Sequence, residues 1–394
     1  MDPLRWIDDE LKGLDDQHLR RRRQLRAGPQ SAACISIDGR TLGNFASNDY
    51  LGLAAEELLD SVQQGLKTAG WGSGASPLIV GYGDLHARLE QSLARFEGCQ
   101  EAILFPSGYA ANSGTIAALV EPGDVIFSDA RNHASIIDGC RLSGAKIEVY
   151  PHVDTGNLRD RLVASASFRR RLIVTDTLFS MDGDLAPLPD LAALAAEHDA
   201  ILMVDEAHAT GVLGATGRGV CQLQQVEEGV HVRVGTLSKG LGSAGGFVAG
   251  SEQLVQWLIN RARPYIFSTA SPAALAAAGL RALEIVDEQP ERREDLMDQA
   301  AWLHDQLIQQ GWPLGSLQSQ IFALPVGSPE RALAWSEQLR EAGFLVPAIR
   351  PPSVAEGASC LRLSLCYGHP RETLEGLVQE LARFAPLLSG TGGG

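Results

Sequence analysis

The sequence predicts an α/β protein, with a large domain built on a mostly parallel central sheet flanked by helices and a smaller α+β domain after it. Three observations carry this reading. Continuous apolar runs such as Ile201 to Val204 alternate with helical stretches, as expected of strands buried on both faces. Glycine-rich turns follow several of these runs. From Pro290 the composition becomes richer in charge, with long helical patterns between strands, which marks a second domain. The expected division is an N-terminal segment over 1–45, a large domain over 46–288, a small domain over 289–386 and a disordered tail over 387–394.

Composition limits the function classes. At 394 residues the chain exceeds the usual single-domain range, and 45% hydrophobic with 21% charged residues is an ordinary globular balance. A net charge of −15 and a pI near 5.1 argue against bulk binding to nucleic acid or to an anionic membrane. The six cysteines form no CxxC pair, so neither a zinc knuckle nor a disulfide framework is suggested. The acidic N-terminus lacks the apolar core of a signal peptide, and no run reaches the length of a membrane span. These features predict a reduced, soluble, cytoplasmic protein.

Taken in order, residues 1 to about 30 read as helical, with Leu4, Ile7, Leu11 and Leu14 at three- to four-residue spacing. The run Arg20 to Arg23 reads first as a solvated face, and more sharply as a source of one arginine for a substrate carboxylate. Ile35 to Phe45 reads as a hairpin turned at Asp38-Gly39. SNDYLGL, Ser47 to Leu53, leads toward a helix, and Gly70 to His86 is a glycine-rich loop too long for a simple turn. A helix over Leu85 to Phe96 precedes a strand over Ala102 to Phe105. The turn PSGYAAN then opens a helix near Tyr109 to Ala111, and exposed N–H groups at such a start suit a phosphate.

Further strands are expected over Asp124 to Ser128, Lys146 to Tyr150 and Leu172 to Thr177, with a helix over Leu158 to Ala166. His133 follows the first of these strands, where a lone histidine is usually structural. Ser180 follows the third, in FSMDGD, where it also reads as a loop serine. Gly246 to Ala249 is a strand, Leu254 to Ile259 starts a helix, and PYIFSTASP ends in the hydroxyls of Ser268 and Thr269. An alanine-rich helix runs to about Val286. Helices over Arg292 to Gln310 and Glu330 to Ala342 then alternate with strands over Ile321 to Val326, Phe344 to Ile349 and Leu361 to Cys366.

Two stretches suggest chemistry. Asp205 ends the buried strand Ile201 to Val204, at the strand end where open α/β sheets place ligands, and His208 lies three residues on. Lys239 sits in GTLSKGLGSAGG with no carboxylate within five residues in sequence, which suits a Schiff-base amine, although alone it reads as a solvated loop lysine. A buried aspartate after one strand and such a lysine after a later one fit pyridoxal 5'-phosphate (PLP): the lysine joins the aldehyde carbon and the aspartate keeps the ring nitrogen protonated. The letters DEAH occur here without the GxxxxGK[ST] loop that a helicase needs. GLGSAG matches GxGxxG but lacks the acidic residue expected about twenty positions on in a dinucleotide site.

The ordered set SNDYLGL, SGYAAN, NHAS, FSMDGD, DEAHATGVLG, GTLSKGLG, YIFSTASP and AIRPPSV resembles the α-oxoamine synthases, a family of fold-type I PLP-dependent transferases, over about residues 15 to 385. The resemblance implies a homodimer whose sites take residues from both subunits, and an acyltransferase that condenses an amino acid with an acyl thioester. AIRPPSV is most similar to a branch that joins L-alanine to a pimeloyl thioester in biotin biosynthesis. Sister enzymes use glycine or serine, and a PLP-free scaffold is a further alternative.

By the same resemblance, Lys239 carries the cofactor, Asp205 faces the ring nitrogen, His133 stacks on the ring, and His208 and Ser180 meet the ring oxygen. Ser107, Gly108, Tyr109 and Thr236 serve the phosphate, and Ser268 and Thr269 reach a phosphate across the dimer. Arg362 grips the amino-acid carboxylate, Arg20 meets the distal carboxylate of the acyl donor, and Ser353 contacts substrate; no metal is implied. Three departures bear on acyl preference: Pro77 stands where relatives place His or Arg, Ser353 replaces a threonine, and Ala355 replaces a proline.

Overall fold

The computed structural model describes residues 2–31, 33–385 and 387, so the expected tail lies outside the described residues apart from Leu387. The chain divides into two compact units. One comprises Met1–Gly52, Met181–Gly183 and Glu294–Gly394, the other Leu53–Ser180 and Asp184–Arg293. The N-terminal segment read as separate is thus grouped with the C-terminal residues.

The unit formed by Leu53–Ser180 and Asp184–Arg293 holds a seven-stranded sheet. Its strands are β1 (Glu101–Phe105), β2 (Val125–Asp129), β3 (Lys146–Tyr150), β4 (Arg171–Asp176), β5 (Ile201–Asp205), β6 (Val232–Thr236) and β7 (Gly246–Gly250). They lie in the order β1-β7-β6-β5-β4-β2-β3. Every pair from β3 to β6 is parallel, and β7 runs antiparallel to both β6 and β1. Apolar runs explain the centre: β2, β6 and β7 are buried at every position, and Leu172 to Val174 and Leu202 to Val204 are fully covered.

Two helices place site residues directly. Helix α1 (Gly108–Leu119) follows β1 and is capped by Ser107, whose Oγ accepts from the Ala110 N–H. Helix α2 (Ala134–Ser143) follows β2 and is capped by His133, through the Ser135 N–H. The two pack closely because a Cβ on Gly139 would stand 3.0 Å from the Ser113 backbone.

In the other unit, the hairpin Cys34–Ile37 and Arg40–Asn44 turns at Asp38 and Gly39, both at positive φ (49° and 78°), as a type I′ turn requires. Phe344–Leu345 joins this sheet in parallel, while Ala348–Ile349 pairs with Ser359–Ser364 in a second sheet with Ile321–Gly327. The single strand expected over Phe344 to Ile349 is therefore split, at a point where Pro347 has no N–H to continue a ladder. Trp335 anchors this core, edge-on to Trp312 and stacked on Phe384 at 4.7 Å.

The helix expected to run to about residue 30 is only Trp6–Asp16, and none of its residues is buried. His18 at φ 57° turns the chain out of the helix, and four consecutive arginines beyond it would repel at helical spacing. Among the described residues no helix is long and apolar enough to cross a membrane, and no group of side chains is arranged to hold a metal.

Candidate active site

β5 ends at Asp205, which is buried to 5% exposure. A carboxylate so placed needs partners. Asn112 of α1 donates from Nδ2 to Oδ2 at 2.6 Å, and the Ala207 N–H donates to Oδ1 at 2.8 Å. Asn112 also donates to the Ser135 hydroxyl at 2.9 Å, while its own Oδ1 is buried without a partner. The sequence alone assigns no role to Asn112. The signal it offers is an amide after the small residues Ala110 and Ala111, four positions after Gly108.

On the neighbouring strand, β4 ends at Asp176, which stands in register with Asp205. Its Oδ2 accepts from the His133 N–H at 2.6 Å, fixing the loop between β2 and α2. Burial, reinforced by the charge of Asp205, pushes the Asp176 carboxyl well above its ordinary range. Sequence also hints at this residue, since LIVTD ends as ILMVD does.

The His133 ring has Nδ1 2.7 Å from the Ser135 hydroxyl. Burial holds its pKa below the usual value, with the nearby Lys239 cation adding to the effect and Asp205 opposing it. Lys239 is half-buried, and its Nζ lies 2.8 Å from Nε2 of His208, which is buried. The lysine that sequence reads as lacking a local carboxylate has an imidazole among its contacts.

The turn after β1 forms a cradle. Gly246 opens β7 in register with Phe105 and Thr236, and a Cβ there would stand 2.5 Å from the Gly108 nitrogen. Only glycine leaves the Ser107–Gly108 turn in place. A Cβ on Gly108 would in turn lie 3.6 Å from Thr236, so Ser107, Gly108 and Thr236 stand together at one helix start. Tyr109 is half-exposed, and its hydroxyl donates to Asp138. That partner, more than its limited burial, raises the phenol pKa.

Ser180 lies half-buried, four residues beyond Asp176. Ser268 and Thr269 line a small cavity with Pro77, Tyr82, His86 and Glu90. Burial raises the Glu90 carboxyl to about 7, against its bonds from the Tyr82 hydroxyl and the Leu104 N–H.

The three remaining residues belong to the other unit. Arg362 is buried, with Nη1 2.7 Å from the Ser364 hydroxyl and both Nη atoms 3.4 Å from Asn48 Oδ1. Arg20 is ion-paired with Asp15 at 2.5 Å. Ser353 is exposed, and its hydroxyl lies 3.5 Å from Arg21 rather than beside Arg20.

These residues fit pyridoxal phosphate. The cradle opened by Gly246 presents backbone N–H groups at a helix start, Asp205 is a buried carboxylate on a fixed mount, and Lys239 rests against a base.

Residues 40–381 match the family described as aminotransferase class I and II. The 8-amino-7-oxononanoate synthase of Geobacter sulfurreducens is 46% identical over 383 residues, covering 96% of this chain and 98% of that one. A protein named 8-amino-7-oxononanoate synthase 1 from a Polaromonas species is 45% identical over 392 residues, 96% of each chain. Among solved structures, serine palmitoyltransferase from S. paucimobilis, with a bound PLP–myriocin aldimine, superposes with a TM-score of 0.92 at 30% identity, covering 99% of this chain and 100% of that one. The 8-amino-7-oxononanoate synthase of Francisella tularensis gives a TM-score of 0.77 at 28% identity, over 88% and 99%.

Proposed function

The chain belongs to the class I and II aminotransferase family, among relatives named 8-amino-7-oxononanoate synthase, and from that premise we propose that it is a PLP-dependent acyltransferase of biotin biosynthesis. It condenses L-alanine with a pimeloyl thioester, on CoA or a carrier protein, and gives 8-amino-7-oxononanoate, CO2 and the free thiol. The observation that carries this reading is the pairing of two strand ends: Asp205 buried on Asn112 after β5, and Lys239 against His208 after β6.

When bound, PLP supplies an electron sink for the carbanion formed at the amino acid's α-carbon. The chain's own groups do the rest. Lys239 would hold the cofactor covalently and, when free, would take and return the substrate's α-proton at its Nζ, which lies 2.8 Å from His208 Nε2. Asp205, oriented by Asn112, would face the ring nitrogen and favour its protonated form. His133 would lie against the cofactor ring, and His208 and Ser180 would bond its ring oxygen. Ser107, Gly108, Tyr109 and Thr236 would hold the phosphate from one subunit, and Ser268 and Thr269 would hold it from a second copy. Arg362 pairs with the alanine carboxylate, while Arg20 and Ser353 serve the acyl donor. Arg20 must exchange its ion pair with Asp15 for the substrate's carboxylate.

A second reading, a sister enzyme using serine or glycine, draws on the TM-scores of 0.91 to 0.92 with serine palmitoyltransferases. A single methyl or hydroxyl discriminates by only ~1–3 kcal/mol in an apolar pocket, so the amino acid is decided by assay. The test is the visible spectrum of PLP-loaded protein titrated with L-alanine, glycine and L-serine, then pimeloyl-CoA with free thiol followed. Thiol release with alanine alone supports the proposal. Preference for glycine or serine moves the function to a sister enzyme, and absence of a cofactor band overturns it.

A further inference from the structure

His152 lies outside every motif assigned above, yet both of its ring nitrogens are engaged. Nδ1 is 2.9 Å from Oδ1 of Asp129, the last residue of β2, and Nε2 is 2.8 Å from Oδ2 of Asp184. The ring also meets Phe179 edge-on, with centroids 4.4 Å apart. Phe179 and Asp184 flank the segment that contains Ser180, and they are joined by a bond from the Phe179 N–H to the Asp184 carbonyl. Leu178 and Leu185 form a bridge just outside them.

The opposite end of the imidazole is anchored as firmly. Asp129 is 3% exposed and also accepts from the Arg131 and Val153 N–H groups. It therefore starts the loop that ends at His133, whose own N–H is fixed by Asp176. Val153, directly after His152, adopts φ 52°. A β-branched residue in the left-handed region is strained, and such strain persists only where surrounding contacts over-determine it. The contact here is the Val153 N–H on Asp129.

We propose that His152 is a positioning residue, a protonated bridge between two carboxylates that sets the loop bearing Ser180 against the loop bearing His133. The proposal rests on the functional reading above for what those two residues do. The groups facing the ring are Asp129 from β2 and Asp184 and Phe179 from the segment after β4. Burial works against the charge on the ring, but the bonds and charges of Asp129 and Asp184 outweigh it and raise the pKa to about 9. The bridge is accordingly complete below the free histidine's titration range and is lost as pH rises through about 9.

The test uses the PLP-loaded full chain, wild type, Asp184→Asn and His152→Gln. The His152 ring titration is followed by NMR with labelled histidine, and amide exchange over 178–185 is measured with and without PLP. In wild type the ring should titrate near 9, and the basic limb of kcat should coincide with it. Asp184→Asn should lower both by at least one pH unit together, with the amino-acid KM within twofold. His152→Gln should lower kcat at least tenfold and speed amide exchange over 178–185 at least tenfold, even without PLP. A ring titration that moves in Asp184→Asn while the basic limb and the exchange stay in place would overturn the proposal. So would a His152→Gln enzyme with wild-type kcat and exchange. Should wild type fail to turn over with any amino acid and thioester, the functional reading falls, and the exchange and titration still decide the bridge.

Discussion

Asn112 donates a 2.6 Å hydrogen bond from Nδ2 to the carboxylate of Asp205, across 93 residues of sequence. The bond fixes which way a buried carboxylate points, and it leaves Oδ1 of Asn112 buried without a partner. A bond to a charged group contributes ~1.5–3 kcal/mol, so we expect Asn112→Ala to weaken PLP binding and turnover by about 10- to 100-fold. Cofactor dissociation measured by the loss of visible absorbance on dilution would reveal it. An unchanged constant would mean that the Ala207 N–H alone orients Asp205.

Lys239 is expected to be indispensable for turnover and dispensable for the fold. It is half-buried, and its amine approaches His208 Nε2 at 2.8 Å. Lys239→Ala should retain its far-ultraviolet circular dichroism while losing condensation and the spectral signature of covalently held PLP. Lys239→Arg should not rescue activity, because a guanidinium does not give up its proton at any working pH. Condensation at a tenth of the wild-type rate in either variant would exclude the role.

The cradle at Gly246 offers a steric test. An added methyl would stand 2.5 Å from the Gly108 nitrogen and from the Ser107 carbonyl carbon, both backbone atoms with little freedom to yield. Gly246→Ala should therefore shift the Ser107–Gly108 turn, at an overpacking cost of ~1–3 kcal/mol. Melting with and without PLP separates the effects. The cofactor's stabilising increment should shrink more than the apoprotein's own stability does, since the displaced groups are the proposed phosphate donors.

Much of this arrangement is legible in the residues themselves. Strands buried on both faces announce themselves as ILMV or LIV, and Asp205 and Lys239 stand out as charges at their ends. The Asp38-Gly39 turn is equally plain. Asn112, Asp176 and His152 are harder to read because their roles depend on residues 93, 43 and 32 positions away in sequence. Local patterns cannot express such pairings. The N-terminal helix is overread for a related reason: its apolar spacing continues in sequence, but none of its residues is buried. The split of Phe344 to Ile349 between two sheets follows a register that only the partner strands define.

Glu97 gives the fold a pH dependence of its own. It is 1% exposed, neither carboxylate oxygen has a hydrogen-bond partner, and burial with the charge of Glu206 raises it to about 8 despite Arg233 and Arg218. Its folded pKa lies above its unfolded value, so the folded state binds the extra proton between about 4.5 and 8. Stability should therefore fall as pH rises through that window and level off above it, a loss on the order of a few kcal/mol at most. Glu97→Gln keeps the shape and never ionises. We expect it to match wild type near pH 5 and to exceed it at pH 9 in denaturant midpoint. A variant less stable than wild type at pH 9 would mean that the ionised carboxylate is a net partner of Arg233, whose Nη1 already donates to the Glu97 carbonyl.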